Sequence, residues 1–77
     1  MAYQVCVGLL NEVVGVHSAR LWAEEHASEP DPGRIAEIRR GMTHYVGVRE
    51  RLDPYDKADV ARTSAECAAI VRAFHES

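Results

Sequence analysis

Cysteine is scarce: Cys6 and Cys67 are the two in the chain, too few for a disulfide framework or a thiolate metal site. Both fall on faces expected to be buried, where a free cysteine behaves as a small hydrophobe. No stretch approaches the ~20 apolar residues of a membrane span, because Asn11, Glu12 and His17 interrupt the longest apolar run. With no basic segment ahead of that run, a secretory signal is not expected either, and a cytoplasmic setting is. Positive charge is also in short supply. The net charge is −3 and Lys57 is the one lysine among nine basic side chains, so nucleic acid is not an expected partner. The local exception is the arginine-rich middle, Arg34, Arg39, Arg40, Arg49 and Arg51.

The motifs of catalysis are missing as well. There is no glycine-rich phosphate loop and no His-Glu-x-x-His pair. No glutamate has a histidine three residues on, the spacing that di-iron bundles use. Neither cysteine has an adjacent histidine, and Ser64 with His17 lacks a third member and an anion hole. Glu24-Glu25-His26 reads as a solvated helix end. No enzymatic activity, metal or cofactor is expected.

What remains is a chain of 77 residues, enough for one domain over 1–77. A domain this small buries only about 60% of its unfolded surface. At roughly 0.05–0.15 kcal/mol per residue its stability is on the order of 4–11 kcal/mol. Oligomerisation is one way small domains offset a thin core.

The longest patterned stretch is 3–27. At ~100° per residue it puts Cys6, Leu10, Val13, Val14, His17, Arg20, Leu21 and Glu24 on one arc. A hairpin over 3–16 turning at Asn11 competes, since the β-branched residues and glycines there are poor helix formers. Helix is favoured because a tight hairpin would want a turn glycine beside Asn11. The second helix is expected over 32–51, capped by Asp31 with Pro32 at its first position, and carries Ile35, Ile38, Met42, Tyr45, Val46 and Arg49 inward. The third is expected over 54–75, capped by Asp53, with Val60, Ser64, Cys67, Ile70, Val71 and Phe74 inward. The fold class is therefore all-α: an up-down-up three-helix bundle that associates into a larger helical bundle. The very short second turn makes helices two and three antiparallel neighbours.

Two outer faces are smooth. Gly8, Gly15 and Trp22 recur every seven residues on the first helix, and Ala61, Ala65 and Ala68 belong to an alanine arc on the third. Small residues admit a close neighbour, and an outward Trp marks an association surface, so these six form the expected partner interface. Trp22 folded over the helix edge is the plainer alternative.

The inward stripe also turns polar, with His17, Arg20, Glu24 and Arg49 expected to be buried. A buried charge needs a partner. Pairing about the turns brings Arg49 to Asp56 or Asp59, His17 to Ser64 and Met42, and Glu24 to Ile35 and Val71. Arg20 and Glu24 are placed to pair with each other. Three explanations fit the stripe: a bundle edge with heads in water, a surface facing another protein, or a metal or small-ligand site.

The functional expectation is a small protein–protein interaction module or accessory subunit, self-associating as a homo-oligomer. The alternative is a DNA-binding regulator of helix-turn-helix type. Val60, Ala61, Ala65, Val71 and Phe74 echo that motif's apolar spacing, but no glycine stands near the turn position and Arg72 is the only permanent cation on the supposed recognition helix.

Overall fold

The computed structural model describes residues 3–76 as three helices, α1 (Tyr3–Glu25), α2 (Pro32–Arg51) and α3 (Lys57–Glu76). Met1, Ala2 and Ser77, the ends of the expected domain, lie outside the described residues. The bundle is all-α, and the stretch 3–16 is helix, not hairpin.

The first turn follows the sequence signals closely. Asp31 has extended backbone (φ −94°, ψ 109°), and its Oδ1 accepts from Gly33 N–H at 3.0 Å and Arg34 N–H at 3.4 Å, with Pro32 behind it. Glu24 Oε1 in turn accepts from Asp31 N–H at 3.2 Å, which ties the end of α1 to the cap of α2. The second turn differs from expectation. Asp53 does not cap α3. Its Oδ1 accepts from Tyr55 N–H at 2.9 Å and its carbonyl from Asp56 N–H at 3.1 Å, so residues 53–56 form a turn of their own. Asp56 is the cap, accepting from Asp59 N–H at 3.0 Å, and α3 starts three residues later than the Asp-Pro signal suggests. Asp-Pro initiates either a helix or a turn; here the second aspartate takes the helix.

The core is one cluster: Cys6, Leu10 and Val13 from α1, Leu52 from the turn, and Val60 and Cys67 from α3. No residue of α2 is buried. Ile35, Ile38, Met42, Tyr45 and Val46, expected inside, are all half-buried. The reason is architectural. α1 packs against both other helices, but no Cα of α2 comes within 8 Å of a Cα of α3. The expected neighbours are thus antiparallel but splayed. Packed helices lie about 8–10 Å apart; α2 and α3 flank α1 without their backbones meeting, in a molecule 45 × 25 × 14 Å in extent.

One polar atom is stranded in the core. Ser64 is fully buried, and its hydroxyl has no hydrogen-bond partner among the described residues. An unsatisfied buried polar group costs about 1–3 kcal/mol, and alanine is the better helix former. Ser64→Ala is therefore expected to raise stability by about 1 kcal/mol or more, seen as a higher urea midpoint. A destabilised variant would show that the hydroxyl finds a partner.

Candidate functional site

α1 is the floor of a groove whose walls are α2 and α3. At one end an open cleft of about 970 Å³ is lined by His17, Arg20 and Glu24 of α1 and by Arg34, Glu37 and Ile38 of α2. At the other end a cleft of about 260 Å³ lies between His44, Tyr45, Val48 and Arg51 of α2 and Asp59, Arg62, Thr63 and Glu66 of α3. His17 of the first cleft and Tyr45 of the second have ring centres 5.6 Å apart. Tyr45 donates its hydroxyl to Glu66 Oε1 at 2.7 Å, so one hydrogen bond spans the groove from wall to wall.

The structure brings together three of the four polar residues read from the sequence, His17, Arg20 and Glu24, on the floor of the larger cleft. It does not bury any of the four. Arg20 is exposed, and His17, Glu24 and Arg49 are half-buried. The desolvation penalty that a buried charge would meet is avoided by position. Arg20 lies with its guanidinium 5.6 Å from the centre of the Phe74 ring, a cation–π contact from α1 to α3, in place of a pair with Glu24. Glu24 meets Arg34 at 3.5 Å. Arg49 turns away from the α3 aspartates and donates to Asn11 Oδ1 at 2.7 Å, because the splay of α2 from α3 puts α1 nearer. Asp59 pairs instead with Arg62 on its own helix.

His17 does not reach Ser64. Its Nδ1 lies 2.8 Å from the Val13 carbonyl oxygen, and a carbonyl only accepts, so Nδ1 carries a proton and donates. In the neutral ring Nε2 is then a lone-pair acceptor, and it points at α2. A Cβ added at Gly41 would fall 2.6 Å from Nε2 and 2.8 Å from Cδ2. Gly41 is thus where the backbone of α2 comes close enough for an imidazole to lie on it, a role its sequence neighbours did not reveal. Alanine would gain about 1 kcal/mol of helix propensity, but it must displace a ring anchored at Nδ1. Gly41→Ala is expected to lose about 1–2 kcal/mol net, within the range for overpacking, and His17→Ala in the same chain to recover most of it. Thermal melts of the single and double variants check this; a stabilised single variant would mean that the ring yields freely.

The two smooth faces are where the periodicity put them. Gly8 and Gly15 look onto open space, with nothing within 4 Å of an added Cβ. Trp22 is 64% exposed and stacks on His26, ring centres 4.2 Å apart. Ala61 and Ala65 are exposed, and Ala68 is half-buried. They do not converge. α1 and α3 pack on each other through Cys6, Leu10, Val13, Val60 and Cys67; the glycine–tryptophan face lies on the back of α1 and the alanines on a flank of α3, so the two do not form one surface. The spacing that echoes a helix-turn-helix lies inside the unbroken α3, and Ala65 is in mid-helix with no turn.

Both cysteines are fully buried in the core. The Cys67 thiol is pushed up to about 11 by burial first, then by the charges of Cys6 and Glu66. Tyr45 is pushed up to about 12, by burial and then by its hydrogen bond to the Glu66 carboxylate and that group's charge. Among the described residues no three His, Cys, Asp or Glu side chains are grouped to hold a metal ion, and no helix is long and apolar enough to cross a membrane. Compared with known proteins, the chain matches no family model, no curated protein and no solved structure.

Proposed function

We propose that this chain is a helical protein–protein interaction module that associates with itself and has no catalytic activity of its own. One observation carries the reading: α2, a helix of 20 residues with an apolar stripe, contains no buried residue. Most helical stability in proteins comes from packing an amphipathic face. A helix whose stripe is covered in part, with no residue of it fully enclosed, has packing still to gain, and a second chain supplies it. The thiols support the absence of catalysis, since a buried cysteine with a raised pKa is a poor nucleophile.

Sedimentation equilibrium from low to several hundred micromolar tests the proposal. A concentration-dependent rise in mass to a defined oligomer is expected, with a melting temperature that climbs with protein concentration. A monomer over the whole range overturns self-association.

A further inference from the structure

We propose that a second copy of the chain fills the groove between α2 and α3, face to face about a two-fold axis running parallel to the helices. α2 of each copy then packs antiparallel against α3 of the other. This rests on the self-association proposed above and adds to it the surface, the symmetry and the contacts.

The bundle has an open groove over α1, because α2 and α3 each pack on α1 while no Cα of one comes within 8 Å of a Cα of the other, and Tyr45–Glu66 is the side-chain bridge between them. Half-buried apolar side chains line that groove, Ile38 in the larger cleft and Tyr45 and Val48 in the smaller. The outer face of α1, with Gly8, Gly15 and Trp22, lies behind the floor of the groove. Seating that face in the groove of a neighbour would be a head-to-tail contact, which runs on into a filament or a ring. Groove against groove is isologous, and it closes after two copies.

Charge favours that pairing. The Tyr45–Glu66 hydrogen bond fixes the level at which the two walls stand opposite each other. A two-fold axis parallel to the groove exchanges left and right and leaves every residue at its own level. The α2 wall of one copy therefore meets the α3 wall of the other at the level it already faces within its own chain. In the smaller cleft this sets Arg51 against Asp59, which its own Arg62 also contacts, and His44 against Glu66 of the second copy, so on both sides of the axis a basic α2 side chain meets an α3 carboxylate. Complementary charge at such a rim fixes register and excludes wrong partners more than it adds affinity.

The area is sufficient. Walls of 20 residues are about 30 Å long at 1.5 Å per residue, and the molecule is 25 Å across. A footprint of roughly 30 × 25 Å buries on the order of 750 Å² per copy, or about 1,500 Å² in all, inside the 1,200–2,000 Å² range of stable interfaces.

The experiment is a charge swap read by sedimentation velocity, with circular dichroism confirming that each variant folds. Arg51→Asp alone sets Asp against Asp59 twice per dimer, and Asp59→Arg alone sets Arg against Arg51 twice. Each is expected to weaken dimerisation by at least about tenfold. Mixed in equal amounts, the two variants form a heterodimer with one native and one reversed pair, so the mixture is expected to return to near the parent affinity. A defect confined to one chain cannot be repaired by mixing, so losses that mixing leaves unrepaired overturn the two-fold pairing. Single variants as tight as the parent, or a dimer abolished by Trp22→Ala alone, overturn the groove while leaving self-association standing. A parent that never dimerises overturns both.

Discussion

Leu10→Ala is expected to remove about 2–5 kcal/mol of stability, the range for deleting a fully buried leucine side chain. Leu10 has no exposed surface and sits in the cluster with Cys6, Val13, Leu52, Val60 and Cys67. Against a total on the order of 4–11 kcal/mol, that loss takes a large part of what holds the chain folded. The architecture makes the site less forgiving than a leucine in a closed bundle. The backbones of α2 and α3 do not meet, so α1 is the one element against which both are organised. A cavity under α1 is not closed by sliding α2 onto α3, because the groove lies between them. Val5, 51% exposed on the same helix, is the control: Val5→Ala is expected to change stability by no more than about 0.5 kcal/mol. Urea unfolding at one fixed protein concentration checks both, since self-association makes the midpoint depend on concentration. The midpoint of Leu10→Ala falls while the slope holds. A loss under about 1 kcal/mol would mean that the helices collapse around the gap and that α1 is not a rigid centre.

The sequence made that centre legible. Cys6, Leu10 and Val13 stand at three- and four-residue steps on α1, and Val60 and Cys67 at seven on α3; all five are in the buried cluster. The Asp31-Pro32 cap was equally readable, because the side-chain acceptor and the fixed φ of proline act within a few residues. What lay beyond reach was the relation of α2 to α3. A short connection dictates that two helices run antiparallel, but not how far apart their axes lie. That distance depends on Leu52, buried at the corner, and on the extra turn over 53–56 that delays the start of α3. With α3 displaced, Arg49 found Asn11 in place of an aspartate, and Ser64 was left without a partner among the described residues. The polar stripe of His17, Arg20 and Glu24 was visible as a break in an apolar face. That it floors an open cleft follows only from the splay of the walls. Gly41 left no trace in the sequence because its role is a distance to the ring of another helix, not a backbone conformation.

That splay leaves Tyr45 and Cys67 in settings that predict an alkaline loss of stability. In the unfolded chain the Cys67 thiol gives up its proton near 9.0, and in the folded chain near about 11, with burial the main cause. Between those values the unfolded state has lost a proton that the native state keeps. The native state then binds more protons, so stability falls as pH rises. Tyr45 behaves alike over the next interval, from 10.0 to about 12, because burial and the Glu66 carboxylate both favour its protonated form. Below pH 9 neither group contributes a slope. The expected curve is therefore flat up to about pH 9 in these two groups and declines from there to about pH 12. Cys67 is fully buried, and a shift of about two pKa units corresponds to roughly 3 kcal/mol. Tyr45 is only half-buried, and solvent screening makes its share smaller. Denaturant midpoints measured at intervals from pH 7 to 12 give the curve. Cys67→Ala is expected to flatten the part between 9 and 11, and Tyr45→Phe the part above 10. The phenylalanine variant also loses about 0.5–1.5 kcal/mol at neutral pH with the Glu66 hydrogen bond. Since that bond sets the level of α2 against α3, the same variant is expected to loosen the register of the groove before the core is touched. A parent protein whose stability stays level between pH 9 and 11 would show that water reaches Cys67, and that the cluster beneath the groove is open.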